Sequence, residues 1–273
     1  MLVALARARA LGSQRMAFTT IDVTAAGARG EIVLDRPDKL NPLSTDTLHE
    51  LADAARWFDE RLDVKVVVVS GRGRAFSSGA DVSAFAGADP GAPARRAAAD
   101  AGREMAQAIE SMRAVTIARL HGHCVGGGVV LAAACDLRVA GESTRFAIPE
   151  VDLGIPLAWG GIPRLVREIG PAMTKELVMT CRAFSAAEAR ELGFVNRVVA
   201  DEQLDAEVHA LASSLLEKSA FTLSATKRAV NAASDELVST AGTWSDADSL
   251  LTALSDPESR RAAEQYLRRL AAR

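Results

Sequence analysis

Twice in this chain an apolar run gives way to a glycine-rich turn that leads into a helix. The first run, Val66-Val67-Val68-Val69, precedes Phe76-Ser77-Ser78-Gly79-Ala80-Asp81. The second, Val115-Thr116-Ile117-Ala118, precedes His121-Gly122-His123-Cys124-Val125-Gly126-Gly127-Gly128 and the apolar stretch Val129 to Ala134. A helix start leaves backbone N–H groups unpaired and carries partial positive charge. Glycine lets a ligand come close to that backbone. On neighbouring strands, two such turns aim two N–H donors at one oxygen, which is how an oxyanion hole is built. The pattern implies an enzyme acting on a carbonyl or thioester.

The surrounding order is that of a winding α/β domain. Phe18 to Val23 and Glu31 to Leu34 read as strands around a turn at Gly27 to Gly30. Ser44 is placed to cap a helix whose apolar positions Leu48, Leu51, Ala55, Phe58 and Leu62 keep a helical spacing. Lys65 to Ser70 reads as a strand covered on both faces. The segment from Ala84 to Ala94 is small, rich in Gly and Pro, and expected to be structureless and mobile. A helix through Met105, Ile109 and Met112 leads to the strand at 115–119. After the glycine triplet come a short helix, a strand at Asp136 to Ala140 and a short edge strand at Arg145 to Ile148. Beyond about residue 200 the pattern is helical only, at Glu202 to Lys218, Phe221 to Asn231 and about Asp256 to Leu270. Helices with apolar stripes and no strand must bury them on their own core or on a neighbouring subunit.

Composition excludes several functions. The formal net charge of −3 over 273 residues gives no field that would draw the chain to nucleic acid or an anionic membrane. Cys124, Cys135 and Cys181 show no C-x-x-C spacing, which speaks against a disulfide framework and against zinc. His121 and His123 beside Cys124 lack the second ligand pair a metal would need. Residues 1–15, MLVALARARALGSQR, are basic and free of acids, and their apolar part is too short for a secretory signal or a membrane span. They loosely resemble a mitochondrial presequence; the plainer reading is a disordered extension ahead of Met16, in a cytoplasmic protein.

From Phe18 to the C-terminus the motifs resemble those of the crotonase superfamily, the enoyl-CoA hydratase/isomerase family. They are Leu34-Asp35-Arg36-Pro37-Asp38-Lys39-Leu40-Asn41, then Gly73 to Val82, then His121 to Gly128 with Ala134-Cys135-Asp136. Phe146-Ala147-Ile148-Pro149-Glu150-Val151 follows, with Gly154-Ile155-Pro156 and Gly160-Gly161 after it. Phe184-Ser185-Ala186-Ala187-Glu188-Ala189 and Gly193-Phe194-Val195-Asn196 complete the series. The resemblance implies a superhelix of ββα units over 16–200 that holds an acyl-CoA site. It also implies a helical region over 201–273 that makes a homotrimer or a dimer of trimers. No cofactor is implied beyond the coenzyme A carried by the substrate. By the same resemblance Ala80 and Gly127 are the oxyanion donors and Glu150 the acid–base group. Arg36, Lys39 and Arg74 match positions that approach the CoA phosphates or adenine, with Lys227 near the nucleotide end. Leu40, Ser78, Asp81 and Val82 line that groove. His123, Gly126, Val130, Pro149, Leu157 and Ala158 complete the expected substrate-binding set.

One departure bears on the chemistry. Hydratases of this family place a second glutamate two residues after the glycine triplet, where this chain has Val130. In the loop after Glu150, where hydratases usually read P-G-A-G-G, it has Leu157-Ala158-Trp159-Gly160-Gly161. Hydration needs a held water, a base and an acid, and one positioned acid–base group is worth roughly 10²–10⁴ in rate. A double-bond shift needs one carboxylate. The favoured expectation is therefore a Δ3-to-Δ2 enoyl-CoA isomerase. The alternatives are a weak or specialised hydratase, with Asp152 as a candidate second group, and a non-catalytic acyl-CoA-binding protein.

Overall fold

The computed structural model describes residues 14–81 and 91–271. The described residues begin with an antiparallel meander, β1 (Gln14–Met16), β2 (Ile21–Ala26) and β3 (Arg29–Leu34). Gly27, with φ 58°, makes the tight turn between β2 and β3. β1 lies partly within the segment expected as an extension, because it pairs with residues 23–25 of β2. The readings made for residues 1–13 fall outside the described residues.

Ser44 caps α1 (Thr45–Asp59) by accepting from the Thr47 N–H at 3.3 Å. Leu48, Leu51, Ala55 and Phe58 are buried along one face of it. The helix stops at Asp59, so Leu62 misses that face and is 73% exposed.

β4 (Val66–Gly71), β5 (Val115–Leu120), β7 (Leu137–Gly141) and β10 (Arg197–Val199) run parallel and extend the sheet in the order β1-β2-β3-β4-β5-β7-β10. The unbroken valine run of β4 has a simple cause. Val67 and Val69 face the main core. Val66 and Val68 face a second core with Ile117 and Val139, closed by Leu204, Val208, Leu211 and Ala212 of α6 (Leu204–Leu216). Each fully buried valine contributes about 1.5–3 kcal/mol, so neither face tolerates a polar residue.

The parallel strands repeat one unit. β4 leads to a return segment at Ser77 and then to α2 (Ala92–Ser111). β5 leads to β6 (His123–Val125) and then to α3 (Gly127–Ala134). β7 leads to β8 (Arg145–Ala147) and then to α4 (Gly161–Thr180). The return segments make a second layer in which β8 lies between β6 and β9 (Phe184–Ser185), so β8 is a central strand and not the expected edge. This is the expected α/β superhelix of ββα units.

α5 (Ala186–Glu191) precedes β10, and beyond residue 200 the described chain is helical, as expected. α7 (Ala220–Leu237), α8 (Asp246–Ser255) and α9 (Pro257–Ala271) follow α6. Of the segment expected to lack structure, 84–90 lies outside the described residues and α2 already begins at Ala92, its Pro93 within the first turn, where a missing N–H costs nothing. Among the described residues, no helix is long and apolar enough to cross a membrane.

Candidate active site

The two glycine-rich turns lie side by side because the backbone stitches them. Phe76 N–H donates to His121 O at 2.9 Å, Ser77 N–H to His123 O at 3.0 Å, and Val125 N–H to Ser77 O at 3.0 Å. Asn41, fully buried, ties the first turn to the β3 side: its amide donates to Arg72 O and Ala75 O, each at 2.9 Å. Its own carbonyl accepts from Ser77 Oγ at 2.8 Å, and Ser77 Oγ accepts from Gly79 N–H at 3.1 Å.

This stitching aims two N–H groups at open space. Ala80 forms a parallel bridge with Leu43, in which Leu43 N–H donates to Gly79 O and Asp81 N–H to Leu43 O. The Ala80 N–H therefore points away from that partner. The first donor thus comes from a strand-like bridge, whereas a helix start had been expected. Gly127 is the first residue of α3, where N–H groups lack helical acceptors. Neither N–H donates within the protein among the described residues. A Cβ on Gly79 would sit 3.5 Å from Gly127 N, so the two turns meet here.

All of α3 is buried, and its far end is closed by a buried guanidinium. Arg138 donates to Cys135 O at 2.7 Å, to Ala132 O at 3.3 Å and to Phe194 O, and pairs with Glu168 at 2.6 Å. With its C-terminal carbonyls satisfied, the helix keeps only its positive end open to a ligand.

Glu150 follows β8 in a turn held by Leu153 N–H to Pro149 O at 3.0 Å and Ile155 N–H to Glu150 O at 2.9 Å. Its carboxyl is buried, and Oε2 has no hydrogen-bond partner in the protein. A Cβ at Gly126 would lie 2.3 Å from Glu150 Oε1, so only glycine there leaves room for the carboxyl. Burial penalises the charged form and raises the pKa to about 7.

Two cavities share Ala80, Glu150 and Ile155. The outer one, about 370 Å³, is also lined by Lys39, Ser78, Asp81, Gly126 and Pro149. The inner one, about 40 Å³, is also lined by Gly127, Val130, Leu157, Ala158, Trp159 and Leu250. Glu150 is the single ionisable side chain among the described residues lining the inner cavity. Asp152 is exposed and lines neither cavity.

Other expected residues lie elsewhere. Arg36 pairs with Asp81 at 2.9 Å beside the outer cavity. Leu40 is off the cavity wall, but its carbonyl accepts from Ser78 N–H at 2.8 Å and so holds that wall. Arg74 and His123 are exposed and line neither cavity, and Val82 lies outside the described residues. Lys227 lines neither of these cavities: it is buried, pairs with Asp136 at 2.7 Å and donates to Ala114 O at 3.1 Å. Asp136 also accepts from Thr116 N–H and Oγ1, so Lys227 balances a part-buried carboxylate.

Three contributors left no sign in the sequence. Tyr266 and Leu267 of α9 line the outer cavity, and Leu250 of α8 closes the inner one. The site is therefore not confined to 16–200. Burial, then the nearby Asp152 and Glu150 charges, raise the Tyr266 phenol pKa. A periodic stripe marks a helix face as apolar, but not what that face meets.

Fold and site together define a class: a ββα superhelix that sets one desolvated carboxyl beside two unpaired backbone N–H groups. The family model for enoyl-CoA hydratase/isomerase matches residues 26–272, and the chain belongs to that family. It is 36% identical to a crotonyl-CoA hydratase of Syntrophomonas wolfei over 217 residues, 79% of this chain and 83% of that one. It is also 36% identical to the peroxisomal Delta(3,5)-Delta(2,4)-dienoyl-CoA isomerase of Arabidopsis thaliana over 210 residues, 72% and 74% of the two chains. Among solved structures, an enoyl-CoA hydratase from Mycobacterium avium subsp. paratuberculosis superposes with a TM-score of 0.83 at 27% identity, covering 91% of this chain and 99% of that one.

Proposed function

We propose that this enzyme shifts the double bond of a 3-enoyl-CoA to the 2-position, with Glu150 as the sole proton carrier. The observation that carries this reading is the inner cavity, where one carboxyl, its Oε2 without a hydrogen-bond partner, faces otherwise uncharged walls. The Glu150 carboxylate takes a proton from C2; the C–H electron pair forms the C1=C2 bond and the carbonyl π pair moves onto the thioester oxygen. The Ala80 and Gly127 N–H groups hold that enolate oxygen at roughly 2.7–3.1 Å. When the enolate collapses, C4 takes the proton back from Glu150 and the double bond lies between C2 and C3. Proton and charge are both handled by the protein, so no cofactor is needed beyond the coenzyme A of the substrate. Lys39, and Arg36 with Asp81, stand at the outer cavity where the CoA portion would enter.

Hydration is the second reading, favoured by relatives that carry the name hydratase. It needs a second group to activate water, and Val130 offers a methyl surface at that place. Asp152 does not reach the cavity. A carboxyl kept ready for proton transfer also speaks for catalysis over simple binding.

The test is to offer the purified protein 3-enoyl-CoA and 2-enoyl-CoA separately and follow double-bond position and water uptake. Isomerisation is expected to dominate, with kcat/KM rising with pH to a midpoint near the Glu150 pKa of about 7. Glu150→Gln is expected to lose roughly 10²-fold or more in rate while saturated acyl-CoA still binds. Hydration faster than isomerisation, or full activity in Glu150→Gln, would overturn the reading.

A further inference from the structure

Trp159 interrupts the inner cavity in a way the family resemblance does not supply. Its backbone is held at φ 62°, a left-handed conformation that is an outlier for a bulky side chain. Two neighbours hold the loop there: Gly160 N–H donates to Asp246 Oδ2 at 2.8 Å, and Arg164 Nη1 donates to Gly160 O at 3.0 Å. The indole then seats on two glycines from different helices. A Cβ on Gly102 of α2 would come within 2.0 Å of the ring, and one on Gly127 of α3 within 2.2 Å. The ring thus fills a space that two elements leave free, and Leu250 of α8 lines the same cavity.

We infer that Trp159 is the end-stop of the acyl pocket and that the enzyme selects short acyl chains, of about four carbons, over chains of eight or more. The inference rests on the acyl-CoA reading above and deepens it. With the thioester oxygen between Ala80 and Gly127, the acyl carbons pass Glu150 and enter a cavity of about 40 Å³. One water needs roughly 10–15 Å³ of such space, so the cavity takes about three carbon-sized groups, the reacting C2 to C4 among them. A longer chain must displace the indole from both glycines. Each methylene that fits or fails to fit such a pocket is worth about tenfold or more in discrimination.

The test is a calorimetric binding series of acetyl-, butanoyl-, octanoyl- and dodecanoyl-CoA, which needs no turnover. Wild type is expected to bind butanoyl-CoA about tenfold or more tightly than octanoyl-CoA, and Trp159→Ala to shift that ratio about tenfold or more towards octanoyl-CoA. Leu250→Ala also enlarges the inner cavity and is expected to move the ratio the same way, with folding checked by circular dichroism. Equal wild-type affinity for butanoyl- and octanoyl-CoA overturns the inference and leaves the acyl-CoA reading standing. So does a folded Trp159→Ala with an unchanged ratio. If no thioester binds at all, the acyl-CoA reading itself fails, and the inference with it.

Discussion

Glu150 shows how one residue couples chemistry to stability. Its pKa of about 7 in the fold stands against 4.5 for an ordinary glutamate, and burial is the cause. Between those values the folded protein holds a proton that the unfolded chain has released. This contribution to stability is complete below about pH 4.5 and disappears as pH rises through about 7. Its size is roughly 3 kcal/mol over the window. Thermal unfolding measured from pH 4.5 to 8 should show this fall in wild type, and Glu150→Gln should lack that component. If the two proteins show the same pH dependence, the carboxyl is not desolvated as described. At this scale much was legible in the sequence: the Pro-Glu pair inside its motif, Ser44 as a cap, and glycines at the stitched turns. The Lys227–Asp136 pair was not, because a lysine that meets a phosphate and one that pairs with a part-buried aspartate look alike until Asp136 is placed beside it.

At the scale of elements, the strands and the helices between them were readable wherever periodicity and glycine punctuation agreed. β9 and β10, of two and three residues, are too short to carry a pattern. The break inside α4 at Gly170-Pro171 and the whole of α8 were also hidden. The element that most changes the picture of the site is α9, which lines the outer cavity through Tyr266 and Leu267. Its seat is a glycine in the loop after Glu150. Gly154 has φ 69°, and a Cβ there would lie 2.1 Å from Ser259 O, a backbone atom that cannot rotate aside. Gly154→Ala should therefore lift α9 from the cleft and leave the main sheet intact. Hydrogen exchange is expected to accelerate across 257–271, with acyl-CoA affinity reduced and β4 and β5 unchanged. Unchanged protection in α9 would show that this contact does not anchor the helix.

For the whole molecule, the helical half leaves apolar side chains in water. Phe221 and Leu237 on α7 are 75% and 85% exposed, and Trp244 is 61% exposed. We propose that these faces assemble the chain into a trimer or a dimer of trimers, with 201–273 contributing both to assembly and, through α8 and α9, to the site. Sedimentation at micromolar concentration should give a mass that is a multiple of three chains, and a clean monomer would refute it. The two halves of the proposed catalytic apparatus are stored differently in this architecture. The anion-holding groups are main-chain N–H groups, fixed by turn geometry and by the stitching around Asn41, Ser77 and α3. The proton carrier is a single side chain. A codon change at position 150 removes the reaction in one step, whereas at position 80 any residue but proline still offers an N–H. In a lineage built this way catalysis is genetically fragile and ligand capture is durable, so a descendant that loses its chemistry inherits a working thioester receptor.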